Sequence, residues 1–197
     1  MPSDAPRPTV DPVTAGPTVD AVIRLRRTSL LVDHDAPVDD VMIDRLVDAA
    51  TWAPNHKRTW PWRFTVLRGD ARGRLGRAMA LEAERLGLDP VKVAKLPTKY
   101  ERAAALLLVW SYASTDTLRY REDRDATAVA VQNILLTATA HGLGSHWGSV
   151  PETLLPVVRE QTGTSADFDL VALVYLGWPL GEVAAPARPE PEVTRLD

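Results

Sequence analysis

Between residues 53 and 64 the chain reads Ala-Pro-Asn-His-Lys-Arg-Thr-Trp-Pro-Trp-Arg-Phe, and this stretch separates two periodicities. Upstream, Val38, Val41, Met42, Leu46, Val47 and Ala50 recur at helical spacing after Pro37, with Asp39 and Asp40 in the first turn, where a helix dipole favours negative charge. Pro54 stops that pattern, because a proline disfavours the helical conformation of the residue before it. Downstream, Trp62, Phe64 and Val66 alternate with Arg63, Thr65 and Leu67, which predicts a strand. A helix, a polar loop set between prolines and tryptophans, and a strand therefore follow one another.

Working outward, residues 70–87 predict a helix with Leu75, Met79 and Leu86 on one side. Pro90 and Pro97 interrupt the next stretch, whose lysines suggest a solvated surface. Ala103–Tyr112 (AAALLLVWSY) predicts a buried strand. Residues 123–141 predict the clearest helix, with Ala126, Ala130, Ile134, Thr137 and Ala138 on its inner face and Gly142 and Gly144 at its end. A short strand at Ser145–Val150, a short helix after Pro151 and a last buried strand at Leu170–Trp178 (LVALVYLGW) follow, and then a proline-rich extended tail. Toward the N-terminus, Thr18 or Asp20 can cap a helix carrying Val22, Ile23 and Leu25, which ends at Arg26-Arg27-Thr28-Ser29. Residues 1–17 hold five prolines and no apolar period, so they predict a disordered tail ahead of one folded domain over 18–197. The order of elements predicts the α+β class, a small mixed or antiparallel central sheet with helices around it.

The 197 residues suit one domain, and 45% hydrophobic with 25% charged residues is ordinary for a globular chain. There are no cysteines, which removes thiol nucleophiles, disulfides and thiolate metal sites together and fits a reducing cytoplasm. A formal net charge of −3 gives no sign of a nucleic-acid partner. No apolar run is long enough to span a bilayer.

Several catalytic patterns fail on their own terms. Gly142-Leu143-Gly144-Ser145-His146-Trp147 starts like a dinucleotide fingerprint, but Trp147 stands at the third glycine and the segment follows a helix instead of opening one. No phosphate-loop motif exists, and neither Ser145 nor Ser149 lies on a nucleophile elbow. The four histidines, His34, His56, His141 and His146, show no metal-ligand spacing. What remains suits a planar anionic cofactor. Arg26 and Arg27 supply charge, and Thr28 and Ser29 supply short donors, the pairing a phosphate needs. Adjacent arginines at a helix end are more often solvated, so this signal is weak alone. Asn55, His56 and Lys57 could bond the edge of a flat heterocycle. The same loop also reads as a rigid connection packed by Trp60 and Trp62, and composition by itself tilts toward that.

Taken in order, Arg26-Arg27-Thr28-Ser29, the 53–64 loop, the helix containing Asp125–Thr137, G-L-G-S-H-W-G-S at 142–149 and Y-L-G-W-P at 175–179 resemble the nitroreductase superfamily. The likeness runs from about Val22 to Arg188 and is closest to small members with an A-P-x-H-K loop. It implies a swapped homodimer with FMN in two sites at the interface. It assigns Arg26, Arg27 and Thr28 to the flavin phosphate end. His56 and Asn55 of the partner subunit would reach the isoalloxazine edge. His146, Trp147 and Gly148 would lie along the ring near N5, and Arg188 would complete the phosphate site. No side-chain catalyst is required, because hydride transfer occurs at the flavin near Gly148.

The implied activity is NAD(P)H oxidation by ping-pong hydride transfer to a nitroaromatic, quinone or similar conjugated acceptor. A flavin-holding protein with little turnover, or a flavin-cleaving or dehalogenating relative, are the alternatives. Two positions depart from the family pattern. Leu30 and Leu31 stand where many members carry a second base, and Trp60 stands where many carry glutamine.

Overall fold

The computed structural model describes residues 11–196. Its sheet joins β1 (Val32–Asp33), β2 (Trp62–Arg68), β3 (Ala105–Tyr112), β4 (Gly144–Gly148) and β5 (Phe168–Pro179), and every pairing between them is antiparallel. The strand order is β1-β5-β3-β2, with β4 also on β5. The long β5 is thus the hub, and β3 lies between β5 and β2, which explains its unbroken apolar run.

The pleat sorts that run into two cores. Leu107 and Val109 of β3 join Val174 and Leu176 of β5 on one face, under α2 (Asp40–Thr51) and α6 (Thr117–Ala140). Leu106, Leu108 and Trp110 join Leu173 and Tyr175 on the other, under α3 (Asp70–Arg85), two short helices α4 (Pro90–Val93) and α5 (Leu96–Lys99), and α7 (Leu155–Thr162). The result is a three-layer α+β domain, as the order of elements predicted. Period-two alternation in the strands and 3.6-residue spacing in the helices bury one face each.

Two helix starts differ from expectation. The first helix, α1 (Pro12–Leu25), begins at Pro12 and not near Thr18, because the Asp11 carboxylate accepts the Val13 N–H at 3.0 Å. A proline is tolerated in a first turn, whose N–H groups lack partners in any case. Pro17 lies inside this helix, so the boundary expected at 17/18 falls within α1. Residues 1–10 of the expected tail lie outside the described residues. The long helix α6 begins at Thr117, where Asp116 accepts the Arg119 N–H at 2.8 Å. In Thr117–Glu122 the apolar or aromatic Leu118 and Tyr120 stand two apart, which is not helical spacing, so only the cap marks that start. The segment after Pro179 is extended and exposed, as expected. Among the described residues, no helix is long and apolar enough to cross a membrane.

Candidate functional site

Arg26 follows the last turn of α1, and its guanidinium reaches the Thr28 hydroxyl at 3.4 Å. Thr28 forms a parallel bridge with Ser145, and the Ser29 N–H donates to the Ser145 carbonyl at 2.9 Å. Two motifs more than a hundred positions apart therefore meet at the outer edge of β4. No carboxylate pairs with Arg26 among the described residues. The Ser145 hydroxyl beside this bridge is buried and has no hydrogen-bond partner. A fixed cation and a short donor converge without an anion.

Arg27 bonds the main chain. Its Nη1 donates to the carbonyls of Arg24 and Arg26 at 2.5 and 3.0 Å, which satisfies the free end of α1. It also lines a cavity of about 530 Å³ with Ser29, Thr139 and the chain at Gly181–Ala185. Arg188 lies further along that exposed tail. Among the described residues, no hydrogen bond or ion pair joins Arg188 to Arg26.

Along β4, His146 pairs with Tyr175 and Gly148 with Leu173. Ser145 turns its main chain outward to Ser29, so strict alternation turns Trp147 outward too and leaves the Gly148 main chain facing β5. The open donor on this edge is then the Trp147 N–H. The His146 ring packs edge-on to Tyr175 at 5.7 Å, on the sheet face that carries α3 and α5. Burial first, and then the nearby cations Arg102 and Lys99, hold its pKa below the ordinary histidine value.

The 53–64 loop lies elsewhere. His56–Arg58 form a single 3-10 turn, and Lys57, Arg58 and Trp60 all have positive φ, an uncommon conformation for residues with a Cβ. Its anchors explain how this is held. His56 Nδ1 meets Glu122 at 2.8 Å, and the Thr59 hydroxyl donates to the buried Asp123 at 2.5 Å. The Trp60 N–H donates to the Asn55 side chain at 3.3 Å, so the Asn55 carbonyl closes the loop on itself. Trp60 is exposed and meets Trp62 edge-on at 6.0 Å. Both anchors sit on the N-terminal half of α6, whereas Arg27 and Thr139 share a cavity at its other end. Seventeen residues of helix separate Glu122 from Thr139, about 25 Å at the usual rise. Within one chain, the His56 loop and the Arg26 cluster do not meet.

Leu30 packs, half-buried, against the core cluster of Leu75, Tyr100 and Tyr175, while Leu31 is exposed. Sequence reasoning missed Ser145 as the meeting point, though it stands inside the quoted 142–149 segment. It also missed Glu122 and Asp123, which only the fold brings to the loop. Asp33, His34 and Asp35 do bring three ligand-type atoms within 4.8 Å, a grouping that sequence spacing did not suggest. The Asp33 carboxylate there accepts the N–H groups of Asp35 and Ala36, so it closes a turn.

Residues 23–178 match the model of the nitroreductase family. The chain is 29% identical over 155 residues to the Escherichia coli protein named "Putative NAD(P)H nitroreductase YdjA", covering 78% of this chain and 84% of that one. Among solved structures, a nitroreductase-like family protein from Bacillus cereus superposes with a TM-score of 0.76 at 24% identity, over 94% of this chain and 95% of that one. A Desulfovibrio desulfuricans protein described as a "putative nitroreductase in complex with fmn" gives a TM-score of 0.65 at 25% identity, over 92% and 94%.

Proposed function

The chain belongs to the nitroreductase family, and we propose that it is an FMN-dependent NAD(P)H oxidoreductase whose two sites are completed across a homodimer. The cofactor assignment draws support from the FMN complex of the Desulfovibrio relative and from the NAD(P)H designation of the Escherichia coli one. The observation that carries the reading is the unneutralised Arg26 converging with Thr28 beside the outer edge of β4. This donor set fits a phosphate, because a charge-assisted bond supplies affinity and a short hydroxyl fixes position.

FMN, when bound, accepts a hydride from NAD(P)H and passes it to an oxidised acceptor. The chain supplies the rest. Arg26 and Thr28 bind the phosphate end. The outward Trp147 N–H, next to Gly148, would be the main-chain donor available to the ring edge. Arg27 braces the end of α1 and so fixes the direction in which Arg26 points.

The homodimer follows from separation. A loop held in an uncommon conformation by three side-chain anchors, about 25 Å along α6 from the phosphate cluster, contributes to a flavin site only if a second copy presents it. The exposed apolar residues Val19 and Ile23, four positions apart on α1, supply a face for that copy. Arg188, on an exposed tail, would act at the partner's phosphate site in the same way.

The test is direct. Purified protein should show flavin absorbance, or acquire it from added FMN, and should then oxidise NADH or NADPH when given a nitroaromatic or quinone. Protein that binds no flavin at high micromolar FMN contradicts the reading. Protein that binds flavin but turns over no acceptor would instead be a flavin-holding protein.

A further inference from the structure

The chain contains four lysines in all, and three of them, Lys92, Lys95 and Lys99, fall within eight residues. The fold gathers these three with Arg102 around one cavity of about 510 Å³, in the range that takes small molecules. No aspartate or glutamate lines it, and none of the four cations forms an ion pair among the described residues. The walls are apolar, formed by Leu88, Val93, Leu96 and Leu154. A cavity with a greasy body and a rim of one sign of charge is complementary to an apolar molecule bearing an anionic group.

The position of this rim is fixed. Gly76 of α3 allows α5 to lie directly against it, since a Cβ there would stand 2.6 Å from the Leu96 and Pro97 carbonyl oxygens. Lys99 is half-buried, and its Nζ lies 5.6 Å from the Tyr100 ring centre. Arg102 connects the cavity to the strand edge described above: its guanidinium lies over the Tyr175 ring at 5.8 Å, and Tyr175 is the neighbour of His146.

We propose that this cavity binds small organic acids, an apolar or aromatic body with one carboxylate, and that it seats the anionic end of the electron acceptor. The second half of that statement rests on the flavoenzyme reading, whereas the binding preference does not. The carboxylate lies among Lys95, Lys99 and Arg102, and the apolar body lies against Leu88, Leu96 and Leu154.

The experiment is calorimetric titration of the full chain with 2-naphthoate and with uncharged 2-naphthamide, at low ionic strength, before and after loading with FMN. Naphthoate should bind about tenfold or more tightly than the amide, as one charge-assisted hydrogen bond provides. The Lys95→Gln/Lys99→Gln variant should lose that preference at an unchanged melting temperature, and the exposed Arg77→Gln control, which removes the charge elsewhere on α3, should keep it. Equal binding of the two probes overturns the proposal, as does a preference that survives the double variant. Displacement of naphthoate by equimolar inorganic phosphate also overturns it, because the apolar body would then be irrelevant. Failure to take up FMN would leave these titrations intact and remove only the flavoenzyme reading. With FMN bound, 4-nitrobenzoate should show a lower KM than 4-nitrobenzamide, and the double variant should raise the former without changing the latter. Equal KM values would separate the cavity from the acceptor.

Discussion

The Arg26 cluster and the His56 loop are built by opposite means. The first is assembled by short bonds between α1, its following segment and the edge of β4, and neither Arg26 nor Arg27 has a carboxylate partner among the described residues. The second ties Asn55, His56 and Thr59 down within the chain, while Lys57 and Arg58 are exposed. His56 meets Glu122, Thr59 meets Asp123, and Asn55 meets the Trp60 main chain. One region is organised and electrostatically incomplete, and the other is organised and directed away from it. On the proposed reading, the difference means that the fold of a single chain prepares two half-sites, which a second copy would join.

The largest effect should come from denying that copy its footing. Ile23 is half-exposed on α1, so Ile23→Glu removes little from the fold of one chain. It should nevertheless dissociate the dimer and abolish tight FMN binding together, as read by light scattering and flavin fluorescence. A dimer that persists with full flavin would show that α1 is not the joining face. Next, Arg26→Ala should weaken FMN binding by roughly 1.5–3 kcal/mol, the usual worth of a hydrogen bond to a charged group. Riboflavin affinity should barely change, because it has no phosphate.

How much of this was legible follows from the kind of information each region carries. Strands β2, β3 and β5 were readable because burial imposes alternation or an unbroken apolar run. The polar first turns of α6 and the proline-bearing start of α1 were not, since a cap is one residue and leaves no period. Arg26, Arg27 and Thr28 were legible as candidates together, but the bonds from Arg27 to the carbonyls of Arg24 and Arg26 were not. The direction of Arg27 depends on the carbonyls that α1 leaves free, which only the folded chain displays. Likewise His146, Trp147 and Gly148 were legible as one segment, but which of their main-chain groups faces outward depends on the pairing register, which the sequence does not display.

Leu30 gives a sharper contrast. A base at this position in relatives suggested a lost polar contact to the ring, whereas here the half-buried side chain packs against the core cluster on this face of the sheet. Leu30→Arg should therefore place a charge against apolar groups and cost on the order of 1–3 kcal/mol of stability. Tighter FMN binding at an unchanged melting temperature would restore the lost-contact account.

A smaller effect concerns pH. His146 is held below the ordinary value of 6.5 mainly by burial, so the unfolded chain binds its proton more readily than the folded one. That part of the stability is present above the unfolded pKa and is lost as pH falls through 6.5 toward the lower folded value. The drop in melting temperature on acidification should be shallower in His146→Gln than in the wild type. Parallel curves would mean that the histidine titrates normally in the fold.

On the proposed reading, each flavin site takes Arg26 from one chain and the His56 loop from the other. Arg26→Ala and Asn55→Ala/His56→Ala homodimers should both bind FMN poorly. Mixing them and allowing subunit exchange should create mixed dimers in which one site has both halves intact, so tight FMN binding should reappear at one site per mixed dimer. Poor binding that persists after demonstrated exchange would contradict the account, because both halves would then belong to the same chain.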